Sequence, residues 1–132
     1  MRILAPISLG ELIDKITILE IKLKEVEQPE QRHNIRVEYD QLTNLIKEQS
    51  CYEDRRLNNL WLELLEVNQS LWRLEDQIRI IMNDEQYDLG MFASVGNRIH
   101  KTNDRRATIK KQINLEFNSD IIEEKIFTGR TI

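Results

Sequence analysis

The chain has 132 residues, 40% of them hydrophobic and 32% charged, with only 4 Gly and 2 Pro, which leaves room for one domain and none for a second. So few turn residues all but exclude a sheet protein, whose strands need punctuation at short intervals. The net charge of −4 supplies no global attraction to nucleic acid or to an anionic membrane, and one cysteine, Cys51, rules out an internal disulfide and a Cys-rich zinc cluster.

At the amino terminus, Met1-Arg2-Ile3-Leu4-Ala5-Pro6 is too short and too quickly polar for a secretory segment. No run approaches the ~18 apolar residues of a membrane span. The expectation is a soluble cytoplasmic protein. Ser8 followed by Glu11 then has the form of a capping box, so a helix should begin there. Leu9, Leu12, Ile16, Leu19, Leu23 and Val26 recur at alternating spacings of three and four, a seam on one helical face. Ile13 widens the seam, and Ile18 and Ile21 fall on other faces. Pro29 ends this helix and, tolerated in a first turn, opens the next after a reversal near residues 27–31.

The second helix is more polar, with Ile35, Tyr39, Leu42 and Ile46 on one side, and should pack antiparallel to the first. Residues 49–54 break the pattern. Leu57, Leu60, Leu64, Val67, Leu71, Leu74, Ile78 and Ile81 follow at strict three-and-four spacing, with Trp61, Leu65 and Trp72 broadening the stripe. This predicts a helix from about Asp54 to Asn83, ~45 Å long at 1.5 Å per residue. Turn and N-cap chemistry at Asn83, Asp84, Glu85 and Asp88 leads into a last long helix through Phe92, Val95, Ile99, Thr102, Arg106, Ile109, Ile113 and Phe117. Asn118-Ser119-Asp120 predicts a stop, and Ile121, Ile122, Ile126 and Phe127 a short terminal helix before Gly129. The fold class is thus all-α: an antiparallel bundle of two shorter and two longer helices plus a short C-terminal helix. Long helices with protruding apolar ends imply a homodimer.

If the third and fourth helices fold back about residue 86, residues whose numbers sum to about 172 share a height. Asn68 then lies beside Asp104, Trp72 beside His100, Glu75 beside Asn97 and Glu66 beside Arg106. Thr102 and Arg106 occupy seam positions that apolar residues hold elsewhere, so Arg106 requires a carboxylate, which Glu66 or Glu75 could provide. A polar layer of this kind either fixes helix register or lines a pocket between helices for a small anionic ligand, a nucleotide or sugar phosphate. Its lining would be Asn68, Trp72, Glu75, Asp76, Arg79, Asn103, Asp104, Arg106 and Lys110. Residues 98–111 hold six Lys and Arg against one Asp, a local +5 that can pair with neighbouring glutamates or bind phosphate. No aromatics interleave with these cations, which argues against single-stranded nucleic acid.

The spacing of Glu63 and Glu66, then Glu85 and Asp88, resembles the acidic pattern of the all-α nucleoside triphosphate pyrophosphohydrolases. That resemblance implies Mg²⁺ held by these four carboxylates, bridging substrate phosphates and activating water. A chain with 23 acidic residues produces such spacings by chance, so the pattern is a second reading. Glu11 and Asp14 share a helix face, but capping accounts for Glu11 and pairing with Lys15 or a partner chain for Asp14. His33 and His100 lack the spacing of zinc or di-iron ligands, and Cys51 has no base near it in sequence.

Three stretches together resemble an uncharacterised family of short helical proteins of bacteria and phages, a domain of unknown function often encoded near glycosyltransferase genes. They are Gly10-Glu11-Leu12-Ile13-Asp14-Lys15-Ile16-Thr17-Ile18-Leu19-Glu20-Ile21-Lys22; Asn68, Leu71-Trp72 and Glu75-Asp76-Gln77-Ile78-Arg79; and Asn103-Asp104-Arg105-Arg106-Ala107 through Lys110, Ile113 and Asn114. The resemblance implies an all-helical domain and a sugar-related or phage-related setting, and brings no active site with it. It also implies an acidic residue near the position held here by Met82. The residues themselves lead to a non-enzymatic binding or assembly protein.

Overall fold

The computed structural model describes residues 1–127, 130 and 131. Among them are helices α1 (Leu9–Glu25), α2 (Pro29–Lys47), α3 (Arg55–Met82) and α4 (Leu89–Glu116), followed by a two-residue antiparallel ladder of β1 (Ile126–Phe127) and β2 (Arg130–Thr131). The two shorter and two longer helices stand where the apolar spacing puts them.

Their ends have local causes. The Ser8 hydroxyl accepts the Glu11 amide hydrogen at 3.1 Å, Asp54 accepts that of Arg56 at 2.8 Å, and Asp88 accepts those of Gly90 and Met91 at 2.7 and 3.2 Å. Pro29 occupies the first turn of α2. Arg32, one turn further on, donates from Nη1 to the carbonyls of Leu23 and Val26, satisfying acceptors that α1 leaves open and closing the reversal. At the end of α4, Asn118 takes a left-handed φ of 53° and the Ser119 amide donates to the Asn114 carbonyl at 2.9 Å, the wrap-around bond of a Schellman stop.

The long hairpin has the inferred register. Arg56 Nη1 lies 3.4 Å from Glu116 Oε1, and its guanidinium sits 5.2 Å from the Phe117 ring centroid, so positions summing to about 172 do meet. Across this hairpin lies α1, which packs against all three other helices, whereas α2 meets α1. The core gathers Leu12, Ile13 and Ile16 of α1, Ile46 of α2, Leu57, Leu60, Leu64, Val67 and Leu71 of α3, and Ile109 and Ile113 of α4. Full burial of a Leu or Ile side chain contributes ~2 kcal/mol, so this half of the hairpin carries the stability. Its other half extends past α1 and leaves Ile80 and Leu89 each 72% exposed, and Met82 and Met91 are exposed as well.

The expected terminal helix over residues 121–127 does not form. The chain there runs extended back along α4, with Glu124 on Lys111 at 2.6 Å and Lys125 on Asp104 at 2.9 Å. Seven residues rich in β-branched Ile make a poor isolated helix. Extended, their charged side chains reach partners on α4.

Candidate functional site

The polar layer is built around a residue of α1. Besides its main seam, α1 buries a second line, Gly10, Asp14, Thr17 and Ile21, at spacings of four, three and four. Gly10 allows the closest approach. Its amide donates to Asn114 Oδ1 of α4 at 2.7 Å, and a Cβ in its place would collide with the Lys110 backbone carbonyl. One turn on, Asp14 is 1% exposed and meets cations from α4 and an amide from α3. Arg106 donates to it twice, from Nε to Oδ1 at 2.8 Å and from Nη2 to Oδ2; Asn68 Nδ2 donates to Oδ1 at 2.9 Å and to Thr17 Oγ1 at 2.8 Å. Lys110 Nζ lies 3.9 Å from Asp14 Oδ2 and 2.6 Å from Glu11 Oε2.

Burial by itself would raise the Asp14 carboxyl. Hydrogen bonds from Arg106 and Asn68, with the charges of Arg106 and Lys110, outweigh it and hold the group below its ordinary value. Arg106 is shifted upward by the same partnership, its hydrogen bond to Asp14 outweighing its own desolvation. The result is a charge-assisted knot joining three helices, in which each buried polar side chain has a partner.

This corrects the hairpin reading in one essential respect. Arg106 is paired, but with Asp14 and not with Glu66 or Glu75: Glu66 is exposed and Glu75 half-buried. Heights within a hairpin follow from counting residues, whereas a third helix laid across it supplies partners that counting does not reach. Glu11 likewise gives its carboxylate to Lys110 and Lys15 instead of completing the capping box.

Arg106 and Lys110 also line an open cleft of 390 Å³ on the outer side of α4, together with His100, Asn103, Ala107 and Lys125. Among the described residues no carboxylate lines it, although Asp104 lies 3.7 Å from His100 Nε2 and 2.9 Å from Lys125 Nζ. Of the nine residues expected to bind a ligand, Asn103, Arg106 and Lys110 meet here, while Asn68 lies behind them, buried on Asp14. Asp104 lines the adjoining groove between α4 and the returning chain. Trp72, Glu75, Asp76 and Arg79 do not line the cleft, and Arg79 instead reaches Asp76 at 3.5 Å in an exposed pair. Asp14, a carboxylate between Ile13 and Ile16 expected to pair with Lys15 or a partner chain, pairs with Arg106 instead, while Lys15 goes to Glu11; Thr17 was missed by sequence reasoning. Lys125 had no signal, because its position depends on the path of the extended terminal chain.

The four carboxylates of the magnesium reading do not converge. Among the described residues no three His, Cys, Asp or Glu come together to hold a metal ion, and Asp88 is occupied as the N-cap of α4. Glu63, Glu66 and Glu85 are exposed. Among the described residues, no helix is long and apolar enough to cross a membrane.

None of the curated proteins and none of the solved structures compared matches the chain. The family resemblance of its three stretches does extend over nearly every residue: a match over residues 3–131 makes this chain a member of the family of unknown function DUF6165.

Proposed function

We propose that the protein binds a small anion, a nucleotide or a sugar phosphate, without catalysing a reaction on it, in the cleft lined by Arg106 and Lys110. The observation that carries this reading is the state of Arg106. Two of its nitrogens are fixed on Asp14, its Nη1 has no protein acceptor among the described residues, and its side chain remains 29% exposed at a cleft whose described lining holds no carboxylate. A guanidinium held on one edge and open on the other is preorganised for a phosphate or carboxylate, which costs less entropy than ordering a free side chain. Lys110, His100 and Lys125 add donors around it.

Melting curves with nucleotides, nucleotide-sugars, sugar phosphates and inorganic pyrophosphate, each with and without Mg²⁺, test the reading. Ligand at ~100 times its dissociation constant should add about 2.7 kcal/mol, a shift of several degrees. Arg106→Lys should keep the fold through its charge and lose most of the shift through its missing fork. No shift with any anion overturns the proposal. A shift with a triphosphate only when Mg²⁺ is present, lost in Glu63→Gln and Glu66→Gln, would instead favour the Mg²⁺-dependent pyrophosphohydrolase.

The same reading makes the working form a cytoplasmic homodimer. Exposed Ile80, Met82, Leu89 and Met91 near the hairpin tip support self-association, since large apolar side chains gathered at one end of a molecule are ordinarily covered. Sedimentation equilibrium should give twice the chain mass for the parent and the chain mass for Ile80→Lys/Leu89→Lys; a monomeric parent overturns it.

A further inference from the structure

A second cleft, of 590 Å³, opens between α1, α2 and the start of α3. The chain has eight aromatic residues, and three of them, Tyr39 of α2, Tyr52 of the following turn and Trp61 of α3, line this one space. That concentration has a physical use, because the faces of aromatic rings carry negative potential and attract cations. Glu20 of α1 stands among them. It is half-buried, and its burial raises its carboxyl while the neighbouring Trp61 indole N–H and the Lys24 charge oppose that rise. Asp40 is a second carboxylate in the lining, against one ammonium, Lys47.

Two observations give the sign of the field. The guanidinium carbon of Arg36 lies 5.6 Å from the Tyr39 ring centroid, so this ring already draws a cation from its own helix. The Tyr39 hydroxyl, raised first by burial, is raised further by Glu20 and Asp40, with Arg36 opposing. Rings and carboxylates therefore act on the same volume with the same sign, opposed by Lys24, Arg36 and Lys47, and a bound cation would offset the desolvation of Glu20.

We propose that the Glu20–Tyr39–Tyr52–Trp61 cleft is a binding site for a small organic ammonium, best a methylated one, held by the aromatic faces and neutralised by Glu20. A quaternary ammonium suits it better than a metal ion, because three rings and a single half-buried carboxylate offer diffuse attraction and too few oxygen ligands. The site shares no residue with the anion cleft, so each can fail alone.

The test uses the full chain carrying Trp72→Phe, which leaves Trp61 as its only tryptophan, titrated with choline and tetramethylammonium against sodium chloride at equal ionic strength. A saturable change in Trp61 emission is expected, with no change for 3,3-dimethylbutan-1-ol, the uncharged analogue of choline. Glu20→Gln, which keeps an acceptor for the indole, and Tyr52→Leu, at an exposed turn position, should each weaken binding about tenfold with the circular dichroism unchanged. If Glu20→Gln fails to fold, Tyr52→Leu and the uncharged analogue still decide. No saturable response to either ammonium overturns the proposal. So does an equal response to the uncharged analogue, or a response confined to a neutral methyl glycoside.

Discussion

Asp14 is the residue on which the polar layer turns, and its energetics have a definite sign. Breaking a buried pair strands the remaining charge, so Arg106→Leu should cost about 3 kcal/mol in urea denaturation, near the low end for such pairs because Arg106 retains some solvent. Unchanged stability would mean that Asp14 is not buried in its charged form. The carboxyl titrates below its ordinary 3.8, so its stabilising contribution is complete above that value and lost as the pH falls through the lowered one. The stability gap between the parent and Asp14→Asn should therefore close on acidification below about pH 4.

Glu20 behaves in the opposite sense. Burial raises it above 4.5, so its ionised form costs stability at neutral pH, and that cost disappears as the pH falls through the raised value. Glu20→Gln should melt no lower than the parent at pH 7 and lose any advantage near pH 4. Arg106 was legible because it breaks an apolar seam, and Asn68 because of its height in the hairpin; both proved to belong to the buried layer. Thr102 breaks the same seam yet only donates to its own Arg98 carbonyl at 2.7 Å, so a broken period marks candidates without assigning partners.

The contact between α1 and α4 depends on a glycine, and a pair of substitutions isolates it. In helix interiors Ala ordinarily exceeds Gly by about 0.5–1 kcal/mol. Gly96→Ala should realise that gain, since nothing lies within 4 Å of the added carbon. Gly10→Ala should lower stability despite the same propensity, by about 1–3 kcal/mol, because its Cβ meets the Lys110 carbonyl. Thermal unfolding of the two variants decides, and destabilisation by both would point to a defect common to glycine replacement. Helix starts were legible at this scale because Ser8, Asp54 and Asp88 act within three residues of themselves. Residues 121–127 were not, because their conformation answers to Ser8, Lys111 and Asp104 on other elements.

As a whole, the molecule has a well-packed half and a projecting half, with the returning terminal chain clipped to α4 by exposed ion pairs. Such pairs contribute ~0–1 kcal/mol each and weaken as salt shortens the screening length to about 3 Å at 1 M. Raising sodium chloride toward that concentration should increase amide exchange over residues 120–126 while leaving Ile13, Leu64 and Ile113 protected. Uniform protection would show that apolar contacts, not charge, hold the segment.

The sequence by itself determined the two shorter and two longer helices, where they begin, and how α3 folds against α4, because each depends on interactions within one element or across one short turn. The fifth, terminal helix that it also predicted does not form. The tertiary structure alone decided that Asp14 meets Arg106, 92 residues away, and that Tyr39, Tyr52 and Trp61 line one cleft with Glu20. Both outcomes follow from the way α1 lies across the hairpin. That placement is a compromise among close approach at Gly10, burial on two faces of α1 and the pairing of its one buried carboxylate, and no periodicity along the chain encodes it.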